Sequence, residues 1–75
     1  MQAHEVRMVQ EWKDLKEKTE KLRNVLIKYN AGTLDFQPAC PGELLSRQLE
    51  VMEQYLFILE VRAEIEKIDL KGAAI

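Results

Sequence analysis

The chain has one cysteine, Cys40, and one histidine, His4. A single thiol closes no internal disulfide. It belongs more naturally in a reducing compartment than in a secreted mini-protein. With one imidazole it also supplies too few ligands for a Cys/His zinc site. Glycine and proline are scarce, three and two in 75 residues, which suits long helices. No apolar run approaches the roughly 20 residues of a membrane span, and the opening MQAHEVRM does not have the form of a signal peptide. Nothing resembles a phosphate-cradling glycine loop, a catalytic triad or a scaffold-held carboxylate pair. The expectation is a protein without enzymatic activity, metal or cofactor.

What is present is sharply divided. Hydrophobic residues make up 47% and charged residues 32%, which fits helices with one greasy and one charged face and argues against disorder. The net charge of -2 offers little to a long polyanion such as duplex DNA, whereas a small anion needs only local positive charge.

Between Gln2 and Tyr29 there is no glycine or proline. Met8, Trp12, Leu15, Thr19, Leu22, Leu26 and Tyr29 alternate four and three apart, one stripe of a helix. Lysines and glutamates fall largely off that stripe, and Asp14–Lys18, Lys13–Glu17 and Glu17–Lys21 are spaced to pair. This predicts a first helix over about 2–29, ended by Asn30, Ala31 and Gly32. Residues 30–40 read as a loop, with Leu34 and Phe36 expected to tuck under the hairpin end. Pro41 suits the first turn of a second helix, which is expected over about 41–68 and followed by a tail, 69–75.

The second helix carries two adjacent stripes. Leu45, Leu49, Met52, Leu56, Leu59 and Ala63 form one; Leu44, Gln48, Val51, Tyr55, Ile58, Arg62 and Ile65 form the other, with Phe57 and Val61 adding apolar surface. One antiparallel partner covers one stripe. Covering the other is worth roughly 25 cal/mol per Å², and large uncovered patches usually mark interfaces. The expected architecture is therefore all-α, one domain over 1–75, a two-helix antiparallel hairpin that assembles into a symmetric homo-oligomer.

Arg62 interrupts the second stripe. It either snorkels or pairs with a neighbour's glutamate, or its copies gather about a symmetry axis around an anion, to which the guanidinium fork is suited. Trp12 is either plain core or an aromatic at an interface edge able to stack on a base; Tyr29 and Tyr55 share that ambiguity. Lys28, beside Tyr29, is a helix-end cation or a phosphate contact. His4 and Arg7, one turn apart, belong to a frayed end or face an anion pocket.

The pattern His4-x-x-Arg7, Glu11-Trp12-x-x-Leu15, Lys18, Leu22 and Leu26, followed by Glu43-Leu44-Leu45, Gln48-Leu49, Met52, Tyr55, Ile58-Leu59 and Arg62, resembles the phage anti-CBASS cyclic-oligonucleotide sponges. Their helical hairpin is shared with a class of Thoeris anti-defence proteins. The resemblance covers about residues 4–65. It implies a hexamer in the host bacterial cytoplasm that binds cyclic dinucleotides between protomer pairs and cyclic trinucleotides where three subunits meet, withholding the messenger without cleaving it. It makes Trp12 the base-stacking aromatic, Lys28 a phosphate contact and Arg62 a lining residue of the trinucleotide pocket. Two departures, Leu26 where the family often has phenylalanine and two prolines within 30–42, bear on the dinucleotide pocket. Other functions stay open on the residues alone: a structural or adaptor hairpin that presents its helices to another protein, or a single-strand nucleic-acid binder, against which the interspersed glutamates count.

Overall fold

A computed structural model describes residues 2–71. Two helices, α1 (Ala3–Ala31) and α2 (Gly42–Glu66), pack against each other as a hairpin, and the described residues include no strand. At 44 Å in its longest dimension, the molecule is about as long as α1, whose 29 residues at roughly 1.5 Å each set its length.

Both helices end in the same left-handed motif. Gly32 (φ 76°) closes α1, and its N–H reaches the Tyr29 carbonyl at 3.2 Å while that of Thr33 reaches Lys28 at 2.9 Å. This pattern satisfies the last carbonyls of a helix. Lys67 (φ 57°) does the same for α2, with Ile68 N–H to Ala63 O at 2.8 Å. A lysine is an uncommon choice there, costing about 1–2 kcal/mol relative to the right-handed region. The compensation is apolar: Ile68 and Leu70 fold back and are buried with Met8, Val9, Trp12, Leu59 and Ala63. The expected helix to residue 68 is thus two residues too long, and Leu70, expected in the tail, belongs to the core. The rest of that tail, 72–75, lies outside the described residues.

The core follows the first stripe of each helix and is densest at the open end of the hairpin, with Leu59 completely buried and Leu15 and Leu56 packed at its margin. Buried Thr19 needs no outside partner, because its hydroxyl donates to Leu15 O at 2.7 Å. At the loop end Leu34 is half-buried as expected, but Phe36 is 56% exposed and does not tuck in. Pro41 caps α2 from outside rather than opening its first turn; its carbonyl accepts the N–H groups of Leu44 and Leu45 at 3.1 and 3.2 Å. Gly42 follows because Tyr29 lies across it: a Cβ there would come within 2.6 Å of Tyr29 Cε1.

The second stripe of α2 stays uncovered. Leu44, Val51, Tyr55, Ile58 and Ile65 are all exposed, as are Phe57 and Val61. On α1 the large exposed apolar residues are Val6, Ile27 and Tyr29. The hairpin therefore buries one face of α2 and leaves its flank and back in water.

Candidate functional site: the Arg7–Arg62 flank of the hairpin

Antiparallel packing sets the first turns of α1 beside the last turns of α2. Glu66, in the last turn of α2, stands between the imidazole of His4 and the guanidinium of Arg62, which come from different helices. Its Oε1 lies 3.5 Å from His4 Nε2 and its Oε2 3.8 Å from Arg62 Nε. The side chains of His4 and Arg62 are 52% and 54% exposed, so solvent reaches both. Arg62 shares its stripe with Tyr55, two turns earlier on α2. Tyr55 in turn closes a shallow groove with Arg7, Gln10, Glu11, Asp14, Leu15 and Lys18 of α1. His4, Arg7, Arg62 and Tyr55 thus share one flank, continuous with the uncovered apolar stripe.

The other two candidates lie elsewhere. Trp12 is 5% exposed, inside the cluster of Met8, Val9, Leu59, Ala63, Ile68 and Leu70. Its indole N–H donates to Glu60 Oε2 at 3.1 Å, and Lys16 Nζ sits 4.8 Å from the ring centroid. Within one chain Trp12 takes the place that the plain-core alternative gives it, with little of the ring left for a base. The reason is the backward fold of Ile68 and Leu70, which supplies the cover that the helix pattern lacks. Lys28 is exposed in the last turn of α1, about 36 Å along the helix from His4 at 1.5 Å per residue. A ligand as small as a dinucleotide cannot touch both in one chain.

Two partners escaped the sequence reading. Glu66 is four residues after Arg62, a spacing that was legible, but its contact with His4 crosses between helices and left no local signal. Glu60 as the indole's acceptor is likewise a tertiary contact. Tyr55, 40% exposed, is the aromatic that the flank offers.

The class these observations define is a helical hairpin with an open flank that bears Arg7, Arg62 and His4 beside uncovered apolar surface. A family model described as Sequestin matches residues 2–65. The chain belongs to the Sequestin family, whose name implies sequestration of a ligand. No curated protein and no solved structure gives a significant match. Among the described residues no helix is long and apolar enough to cross a membrane.

Proposed function

We propose that this Sequestin is a non-enzymatic sponge for a small phosphate-bearing nucleotide signal, with cyclic di- and trinucleotides as the ligand class, acting for a phage in the cytoplasm of its bacterial host. Copies of the chain associate through the outer surface of α2, as a hexamer or a related symmetric assembly. The Arg7–Arg62 flank, lying along that surface, then lines pockets shared between copies. Arg62 and Arg7 meet phosphate oxygens, with the fork of each guanidinium matching two of them. His4 adds a third donor, and Tyr55 offers its ring to a base. Lys28 reaches a ligand only where another copy brings its loop end alongside. Trp12 acts through the core, holding the ends of the two helices together.

One observation carries this reading: Arg7 and Arg62, with His4 and an exposed tyrosine, lie from two helices on the flank that borders the uncovered stripe, among the carboxylates of Glu11, Asp14 and Glu66. The family name, which implies sequestration, agrees with it. Symmetric interfaces repeat such groups around a ligand without needing a large cavity in any one chain. Sequestration requires tight binding only, so no general base is needed.

Titration calorimetry against a panel of cyclic di- and trinucleotides and linear nucleotides tests the proposal. Saturable binding is expected, with the ligand recovered intact after the protein is denatured; silence across the panel removes it. Arg62→Ala should weaken trinucleotide binding at least tenfold, since losing one charge-assisted contact costs about 1.5–3 kcal/mol, and should leave the assembly intact. A second reading, a hairpin that serves as an adaptor for another protein, is favoured by the burial of Trp12, which removes the largest aromatic from the nucleotide face. A stoichiometric protein partner in pull-downs, without a bound nucleotide, would select it.

A further inference from the structure

Charges at the C-terminal end of α2 stand against the helix electrostatics. The C-terminal end of a helix favours cations and its N-terminal end anions. α1 follows this rule with Glu5 in its first turn, whereas α2 ends on Glu64, Ile65 and Glu66 with no basic residue in its last turn. The pair Arg62–Glu66 also runs cation-first, the weaker order for residues four apart. α2 gains nothing from this placement. What it does achieve is one carboxylate held between a guanidinium and an imidazole, its oxygens 3.8 Å from Arg62 Nε and 3.5 Å from His4 Nε2. Two oxygens of a phosphate would face them in the same way. The Glu66 side chain is 35% exposed, less than those of His4 and Arg62 at 52% and 54%, so both partners keep surface open to solvent.

We propose that Glu66 is an internal counter-anion, holding the phosphate position between Arg62 and His4 until a ligand's phosphate displaces it, and so setting the affinity of the flank and its discrimination against weaker anions. The inference rests on the reading that Arg62 meets the ligand's phosphate. Exposed ion pairs of this kind are weak, equivalent to a factor of roughly 1.5–5 in an equilibrium. A phosphate therefore displaces the carboxylate at little cost, whereas a chloride or a single carboxylate gains little by doing so.

His4 is the sole histidine, so its ring resonances report on this place alone. Wild type, Glu66→Gln and Glu64→Gln are titrated with inorganic phosphate followed at the His4 ring by NMR, and with cyclic triadenylate by calorimetry. Glu64→Gln removes the same charge from the same helix end, at a residue that makes no ion pair among those found between described residues. Glu66→Gln is expected to tighten phosphate binding two- to fivefold, and Glu64→Gln to leave it within the error of wild type. Equal effects of the two substitutions would reduce the role to net charge and overturn the proposal. Weaker binding by Glu66→Gln would make the carboxylate an organiser of the site, and a His4 ring unmoved by phosphate in all three proteins would remove the site itself; either overturns the proposal. If cyclic triadenylate fails with every protein while the phosphate difference persists, the choice of ligand class fails and the role of Glu66 stands.

Discussion

Replacing Ile65 by aspartate separates a lone hairpin from an associated one. Ile65 is 74% exposed, the most open of the large apolar residues among the described ones, and shares its stripe with Leu44, Val51, Tyr55 and Ile58 at 54, 58, 40 and 53%. In a monomer the substitution touches nothing in the core, and a surface change of this kind stays within about 0.5 kcal/mol. In an assembly that covers the stripe, it forfeits about 1.5–3 kcal/mol of burial. It also strands a carboxylate in the interface, at a cost of several kcal/mol more. A combined loss of about 4 kcal/mol raises the dissociation constant roughly a thousandfold. Sedimentation equilibrium at micromolar concentration reads this directly, with circular dichroism confirming that helicity is retained. Wild type is expected as a multiple of 8.8 kDa and Ile65→Asp as a dissociating species. A wild type that sediments as a folded single chain, or a variant that associates as wild type does, refutes the reasoning.

Three further outcomes test the hairpin. Leu59 is completely buried, so Leu59→Ala should cost about 2–5 kcal/mol in urea melts followed by circular dichroism; a loss under about 1 kcal/mol would place the core elsewhere. Gly42→Ala should forfeit the gain of about 1 kcal/mol that alanine brings in an unobstructed helix, because its Cβ would lie 2.6 Å from Tyr29 Cε1 and the exposed ring must move aside. Tyr29→Ala in the same chain should recover most of that loss, and a double-mutant cycle without coupling would remove the contact. Ile68→Ala with Leu70→Ala uncovers the sole tryptophan, so fluorescence emission should move toward that of the unfolded chain while helicity is largely kept. Unchanged emission would show that these two side chains do not seal Trp12.

How far the fold could be read depended on whether a signal was local. The four-three spacing of Met8 through Tyr29 and of Leu45 through Ala63 predicted both helices and most of the faces they bury, because periodicity is a direct consequence of helix geometry; the exceptions are Tyr29, on the stripe but 41% exposed, and Val9, off it but buried. Gly32 gave the end of α1 for a similar reason. The end of α2 was misread because Lys67 takes the left-handed position without a glycine to signal it, and only the docking of Ile68 and Leu70 makes that worthwhile. The same docking hid the placement of Trp12: the stripe put it on the inner face, but its cover comes from residues more than fifty positions away. Phe36 was misplaced because loop composition says little about which apolar side chain finds a cavity. At the site, Arg62 stood out as a charge within an apolar stripe, whereas the meeting of His4 and Arg62 at one carboxylate depends on helix register, which no single-helix pattern contains.

The two helices are not equivalent in what they leave undone. On α1 the exposed large apolar residues are few and scattered, and its outer face carries interleaved charges such as Glu17 and Lys21, paired at 3.1 Å. On α2 they run along the flank from Leu44 to Ile65 and continue onto the back at Phe57 and Val61. Successive residues are about 100° apart around a helix, so Phe57 points well away from Ile58. A single neighbour seated on the Leu44–Ile65 flank leaves Phe57 wet, whereas Val61, about 40° from Ile65 by the same rule, lies at its edge. An assembly that also covers Phe57 brings α2 a second neighbour, as a closed ring or a stack of pairs would. In the assembly proposed above, the flank of Arg7 and Arg62 falls where neighbouring chains converge and repeated arginines favour an anion between them.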